Sequence, residues 1–438
     1  GTPLCYDRPN PFKPQYVVNS PCYMVTENSN SNSKRDNTDM FVVNFTCGVT
    51  DQVLCQKVKN AFISAGQILT EAIIFTQTVQ VNATFIDICA AYGVCSVSNG
   101  QVIGAAAPAR SILINDGGTS RFYPQALVKQ QNNQNHPEYS IYDIVAVFNS
   151  RNISYWFKSD GIDIKSNQID IEMVILHEFV HGLGFTSSLN EYLLLLDDSG
   201  RPYAGSRTPL PGLTPYIINT TLTNYHLVET VLDKFMSVLI TNQKISDITK
   251  QMDIFGNTQF NTPNDFATTF VNSSQYSLAM NLKNYAIKPK TLGLLTNGNT
   301  NVDNAIILET WINPFMHGSS ISHFSYVKYT NTSDFLMRFM AENGTTLQQH
   351  ILKGGNYSWG AIGPQLRLFF DSIGYTIRDP KSLPSQNSNN TNNANGSISG
   401  VSISAIIGAA IGGVIGGVLI TFSAVMIYFW YKRRRNDT

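Results

Sequence analysis

The period of apolar residues changes several times along the chain, and each change marks an element. Met40–Phe45 (MFVVNF) is an apolar run of strand length. Asp51 stands where a helix N-cap belongs, ahead of Gln52–Ile73, in which Val53, Leu54, Val58, Ala61, Phe62, Ala65, Leu69 and Ile73 recur at helical spacing. Thr78–Ile88 (TVQVNATFIDI) alternates as a strand does, and Val102–Ala107, Ser111–Ile114 and Tyr142–Phe148 add three further strands. Asp170–Leu183 reads as a helix. From Thr186 to about Asn313 the pattern weakens, apart from a helix expected near Asn224–Thr241. Strand, helix, several strands and a helix predict an α+β domain, a twisted mixed sheet backed by helices.

The two ends differ from this body. Residues 1–39 are rich in Pro and Asn and carry two cysteines, which suggests an irregular lead-in tied by a disulfide. Ser382–Gly400 is a low-complexity Asn/Ser stretch of stalk composition. Val401–Tyr431 is apolar or small throughout, longer than the roughly 20 residues that cross a bilayer as a helix. Trp430 and Tyr431 make an aromatic belt, and Lys432–Arg435 a basic cluster of the kind held on the cytoplasmic side. The expectation is a single-pass type I membrane protein at the plasma membrane, its ectodomain outside and a signal peptide removed. Gly408, Gly412 and Gly416 form a stripe on that helix, through which a homodimer could pack.

Charge and cysteines narrow the class. Thirty basic and thirty acidic residues among 438 cancel, so the electrostatic footprint of a nucleic-acid binder is missing. Cys5, Cys22, Cys47, Cys55, Cys89 and Cys95 all lie in the first quarter of the chain, with no Cys-x-x-Cys pair. That count favours disulfides in an oxidising compartment over a zinc ribbon, and pairing of neighbours is the simplest of the arrangements possible. Asn-x-Ser/Thr acceptors from Asn44 to Asn395 agree with an exposed glycoprotein.

The chemistry lies in His177-Glu178-Phe179-Val180-His181, within IDIEMVILHEFVHGLGF. Histidines four apart share one helix face, so both imidazoles can reach one Zn2+, with Glu178 beside it to take a proton from water. Gly182 and Gly184 offer a place to end the helix and turn. A catalytic zinc needs a third protein ligand. Ser187 follows Gly184 at the position where compact metzincins carry their third histidine, and a neutral hydroxyl is a poor substitute. His323, in GSSISHF, is one candidate, 142 residues beyond His181. His317 is another. Glu229-x-x-x-Asp233 has the spacing by which gluzincins present a glutamate from a second helix, though a solvated charged face explains it equally well.

With Leu336-Met337 following in SDFLMRFM, the chain resembles the leishmanolysin-like metzincins, which share HE-x-x-H-x-x-GF, a long insertion, a distant third histidine and a Leu-Met turn. The resemblance also covers YDIVAVF and DSIGYTI, spanning roughly residues 40–377. It implies a metzincin-like zincin fold with an active-site helix and a mainly irregular or helical C-terminal subdomain. It further implies Zn2+ held by His177, His181 and His323, Glu178 as catalytic base and Met337 as the Met-turn residue. The organisation expected is a metalloprotease domain at 40–377 (N-subdomain 40–186, insertion about 188–313, C-subdomain to 377), a stalk at 378–400, a span at 401–431 and a tail at 432–438. The function expected is a membrane-anchored zinc endopeptidase acting on protein or peptide substrates, extended along an exposed sheet edge at Val102–Ala107 or Ser111–Ile114. The competing class is an adhesion ectodomain that keeps its metal without turnover; retention of Glu178 argues against it.

Overall fold

The computed structural model describes residues 4–12, 18–26, 40–95, 102–131, 133, 135–191, 212–221, 224–256 and 258–378. Phe41–Cys47 runs parallel to Val79–Ile86, which runs parallel to Ile144–Asn149; Gly104–Pro108 joins antiparallel and forms one edge. Parallel neighbours cannot be joined by a tight turn and need a crossover. Gln52–Ala72 supplies it. The side chain of Asp51 accepts the Leu54 amide at 3.0 Å to start this helix, and Val58, Phe62, Ala65 and Leu69 bury one face of it. Strand Val79–Ile86 alternates as its sequence does, with Val79, Val81, Ala83 and Phe85 buried.

The histidine helix, Ile171–Gly182, packs against both the crossover helix and the sheet. Phe179 places its ring 5.6 Å from that of Phe41 and 5.9 Å from that of Phe62. Gly182 allows the close approach, because a Cβ there would lie 2.5 Å from Cγ2 of Ile144. Asp170 caps the helix: one carboxylate oxygen accepts the Glu172 amide at 3.0 Å, and the other takes the Leu347 amide at 2.8 Å.

A second, six-stranded sheet runs in the order Tyr216–Thr221, Asn224–Thr230, Thr119–Pro124, Arg110–Asp116, Leu4–Asp7 and Val18–Pro21. The N-terminal lead-in thus contributes strands. The disulfides join neighbours: Cys5–Cys22 ties the strand Leu4–Asp7 to the residue just after Val18–Pro21, Cys47–Cys55 ties the first parallel strand to the crossover helix, and Cys89–Cys95 closes a short loop.

Three expectations are corrected. Asn224–Thr230 is a strand, not the start of a helix. It lies between an antiparallel and a parallel partner and is buried on both faces from Leu227 to Thr230, so its apolar run lacks the alternation that marks a half-buried strand. The α+β class gives way to a mixed α/β fold, because parallel strands with a helical crossover interleave helix and strand along the chain instead of segregating them. The expectation of a transmembrane helix, and with it single-pass membrane placement, is not supported: among the described residues no helix is long and apolar enough to cross a membrane. The longest of these, Gln52–Ala72, carries Lys57, Lys59 and Glu71 away from its buried face, as packing against a sheet requires. The stalk at 382–400, the expected span at 401–431 with Gly408, Gly412 and Gly416, and the basic tail lie outside the described residues.

The cap of the histidine helix has a pH signature. Burial raises the Asp170 carboxyl from 3.8 to about 6, with the two amide bonds and nearby Glu172 as smaller influences. A carboxyl raised on folding contributes stability that is complete below about pH 4 and is lost as pH rises through about 6. Asp170→Asn keeps one acceptor oxygen and does not titrate. Urea unfolding should therefore show wild type losing stability relative to Asp170→Asn between pH 4 and 6, with the difference constant above that range. An unchanged difference would place the ionisation elsewhere.

Candidate metal centre

Helical geometry places His177 and His181 one turn apart, both buried. After Gly182 the backbone turns through Gly184, whose φ of +119° falls in the region that favours glycine. That turn returns the Phe185 carbonyl to the helix end, where it accepts a hydrogen bond from His181 Nδ1 at 2.6 Å. His177 Nδ1 donates to the Leu336 carbonyl at 2.7 Å.

His323 arrives from a distant segment. Its carbonyl accepts the Glu309 amide at 2.8 Å, and the next amide, of Phe324, donates to the Met337 carbonyl at 2.8 Å. The segment is therefore pinned on both sides. Two residues earlier, Ile321 adopts a φ of +57°, a left-handed conformation that costs a β-branched residue roughly 1–3 kcal/mol. Its amide bonds to the Glu309 carbonyl at 2.8 Å and its side chain is fully buried, so the surroundings hold the strain in place. His323 Nδ1 donates to the Ser319 carbonyl at 2.9 Å.

The consequence is electrostatic. A carbonyl oxygen only accepts, so all three Nδ1 atoms carry the proton and all three Nε2 atoms present lone pairs. Those Nε2 atoms stand 3.1, 3.1 and 3.2 Å apart. Three lone pairs aimed at one point repel unless a cation sits among them. Burial lowers His181 to about 4 and takes His177 and His323 well below the usual imidazole value, so protons do not fill that role at neutral pH. Ligand nitrogens at 2.0–2.1 Å from a tetrahedral ion are about 3.3 Å apart, close to the observed triangle. His177, His181 and His323 can hold a metal ion. Their carbonyl partners are the outer contacts that orient metal-binding imidazoles.

Glu178 turns toward the sheet edge. Its Oε2 accepts the Ala106 amide at 2.9 Å, while among the described residues no donor reaches the buried Oε1. Burial pushes this carboxyl up to about 8, opposed by the amide bond. Glu178 and His181 line a cleft of about 300 Å3 whose walls include Ala105, Pro108, Phe122 and Val231. Met337 is fully buried, and the carbonyl of the residue before it bonds His177.

The other candidates lie elsewhere. Glu229, fully buried, accepts from Arg121 Nε at 2.8 Å and from the Ser246 hydroxyl at 2.9 Å, and joins no metal group. Ser187 donates its hydroxyl to Asp233 at 2.6 Å, and Asp233 also accepts the Ser188 and Thr230 amides at 2.9 Å each. The residues expected as a second ligand helix instead brace the chain just after the metal motif. His317 lines the cleft, its ring lowered by burial to about 4, but it is not one of the converging three. Sequence inspection missed Ala106, Asp233 and the carbonyls of Phe185, Ser319 and Leu336. Main-chain groups carry no residue signature, and Asp233 gave only a helix-like spacing.

The chain belongs to the SPBPB7E8-like family, whose model matches residues 19–391. It is similar to the uncharacterized protein PB7E8.01 of Schizosaccharomyces pombe (strain 972 / ATCC 24843), 27% identical over 398 residues. The match covers 81% of this chain and 66% of that protein, so the chain spans just under two thirds of its relative's length. No solved structure matches the chain, so the expected metzincin-like zincin fold finds no counterpart and the class stands corrected to mixed α/β.

Two substitutions separate ligand from brace. His323→Ala should lower metal content from about one ion per chain to a small fraction, measured by elemental analysis of the full chain. Glu229→Ala should leave metal content unchanged but destabilise by about 3 kcal/mol, since it removes the buried carboxylate on Arg121 Nε and leaves that guanidinium only Asp116 as counter-charge. Loss of metal in the Glu229 variant at undiminished stability would reverse the assignment.

Proposed function

We propose that this member of the SPBPB7E8-like family is a zinc-dependent endopeptidase, with His177, His181 and His323 as ligands and Glu178 as general base. The observation that carries this reading is the convergence of three Nε2 lone pairs on one point, beside a carboxylate oxygen that no described donor reaches. Three neutral imidazoles suit zinc, and in catalytic sites three protein ligands leave one position open. Zinc, when bound, would supply the Lewis acidity that polarises a carbonyl and acidifies water.

The remaining roles belong to the chain. The Ala106 amide orients Glu178 through Oε2, leaving Oε1 to accept a proton from the attacking water and return it to the leaving amine. A neighbouring divalent cation favours the ionised carboxylate that this role needs. Gly104–Pro108 is the sheet edge nearest the site, whereas Arg110–Asp116 lies between two strands and offers none. Ile103 and Ala109, flanking the edge strand, bond inward to Asn149 and Asp143 at 2.8 Å. By the two-residue alternation of a strand, the Gly104 amide and the carbonyls of Gly104, Ala106 and Pro108 face outward, where an extended substrate would pair, while the Ala106 amide is held by Glu178. The adjoining cleft would take one apolar side chain of that substrate. The Leu336 carbonyl on His177, with Met337 after it, supports the likeness to the leishmanolysin-like proteases at the level of the motif.

Glu178→Gln should reduce casein hydrolysis by the full chain about 100- to 10,000-fold while metal content stays near one per chain. Phenanthroline should abolish wild-type cleavage, and added zinc should restore it. Metal binding without any chelator-sensitive cleavage by wild type would instead mark a structural ion in a binding protein.

A further inference from the structure

A second cavity, of about 470 Å3, opens at the N-terminal end of the histidine helix. Trp156 and Trp359 line it, together with Glu71, Lys158, Asp170 and Glu172. Glu71 and Lys158 are exposed and of opposite charge, so they offset each other. Deeper in, both oxygens of Asp170 are taken by backbone amides. Glu172 differs. It is only 9% exposed, and among the described residues no donor or cation bonds its carboxylate. A largely buried carboxylate with no protein donor has its counter-charge to find, and the cavity is where one can enter. Both indoles are held in place beforehand. Trp156 Nε1 donates to the Ile162 carbonyl at 2.7 Å, and the Arg367 guanidinium stacks 4.1 Å from the centre of the Trp359 ring.

We propose that this cavity binds an organic cation bearing N–H donors, a guanidinium or primary ammonium group, with Glu172 as its counter-charge and the two indoles as walls. The buried charged side chains on its wall, Asp170 and Glu172, are both carboxylates, which disfavours anions, and Thr346, Gln348 and Ser358 complete the polar lining. An acceptor without a donor favours a ligand that can give a hydrogen bond as well as charge. Aromatic faces attract such cations and pack the apolar stem behind them. The site is separate from the metal centre and does not depend on peptidase activity. Arginine and lysine side chains of a peptide, and small free amines, share this chemistry.

The full chain titrated with N-acetyl-arginine amide, N-acetyl-lysine amide, butylamine, tetramethylammonium and the neutral N-acetyl-citrulline amide would test it, read by calorimetry and tryptophan fluorescence. Saturable binding of the arginine or lysine compound is expected, with the citrulline compound at least tenfold weaker. Tetramethylammonium, lacking N–H donors, should also fall behind. Butylamine matching the lysine compound would mark a free-amine site, and a preference for the amides a peptide side-chain site. Glu172→Gln should weaken binding at least tenfold with metal content retained, whereas Glu178→Gln should leave it unchanged. Equal binding of the arginine and citrulline compounds, no binding at all, or insensitivity to Glu172→Gln would overturn the proposal. So would loss of binding in Glu178→Gln, which would move the cation to the metal cleft.

Discussion

Three imidazole lone pairs directed at one point are the constraint around which this molecule is arranged. Unprotonated nitrogens 3.1–3.2 Å apart are repulsive in isolation, and only rigid surroundings keep them there until a cation relieves them. The surroundings are main-chain carbonyls, one per ring, donated by three separate segments. Each segment is anchored in turn. The carbonyl of Phe185 depends on the turn at Gly184, that of Leu336 leads into the stretch that accepts the Phe324 amide at Met337, and that of Ser319 precedes the strained Ile321.

Buried polar groups outside the centre serve that rigidity. Asp233 gathers the hydroxyls of Ser187, Ser188 and Thr230 and the amides of Ser188 and Thr230 just downstream of the histidine motif, where the chain would otherwise be an irregular loop. Glu229 and Arg121 lock the strand that leads into Asp233 against the neighbouring strand of the six-stranded sheet. A buried ion pair of this kind contributes little net stability, but losing one partner is expensive, so it specifies the arrangement more than it strengthens it. Glu178 is held on one oxygen by the sheet edge, and among the described residues no donor reaches the other. Such an incompletely satisfied group at an otherwise over-determined site is where chemistry is expected.

Most local features were legible beforehand. The cap at Asp51, the crossover helix, the alternation of the second parallel strand and the paired histidines all depend on residues within a few positions of each other. The region after the histidine helix was misread because a strand buried on both faces loses its alternation, and because charged residues spaced four apart occur on strands and turns as well as helices.

What the amino-acid order determined alone was the histidine pair, its carboxylate neighbour and the glycines that end their helix, all products of short-range geometry; for the cysteines it offered neighbour pairing only as the simplest of several arrangements. The tertiary structure decided which distant histidine completes the cluster, that Glu229 is a structural partner, which strand forms the open edge and that Glu172 looks into a cavity. The physical reason is range. A helical turn fixes the relation of residues four apart, whereas bringing His323 to His181 across 142 residues requires backbone pairing between segments whose donors and acceptors are the same for every residue type.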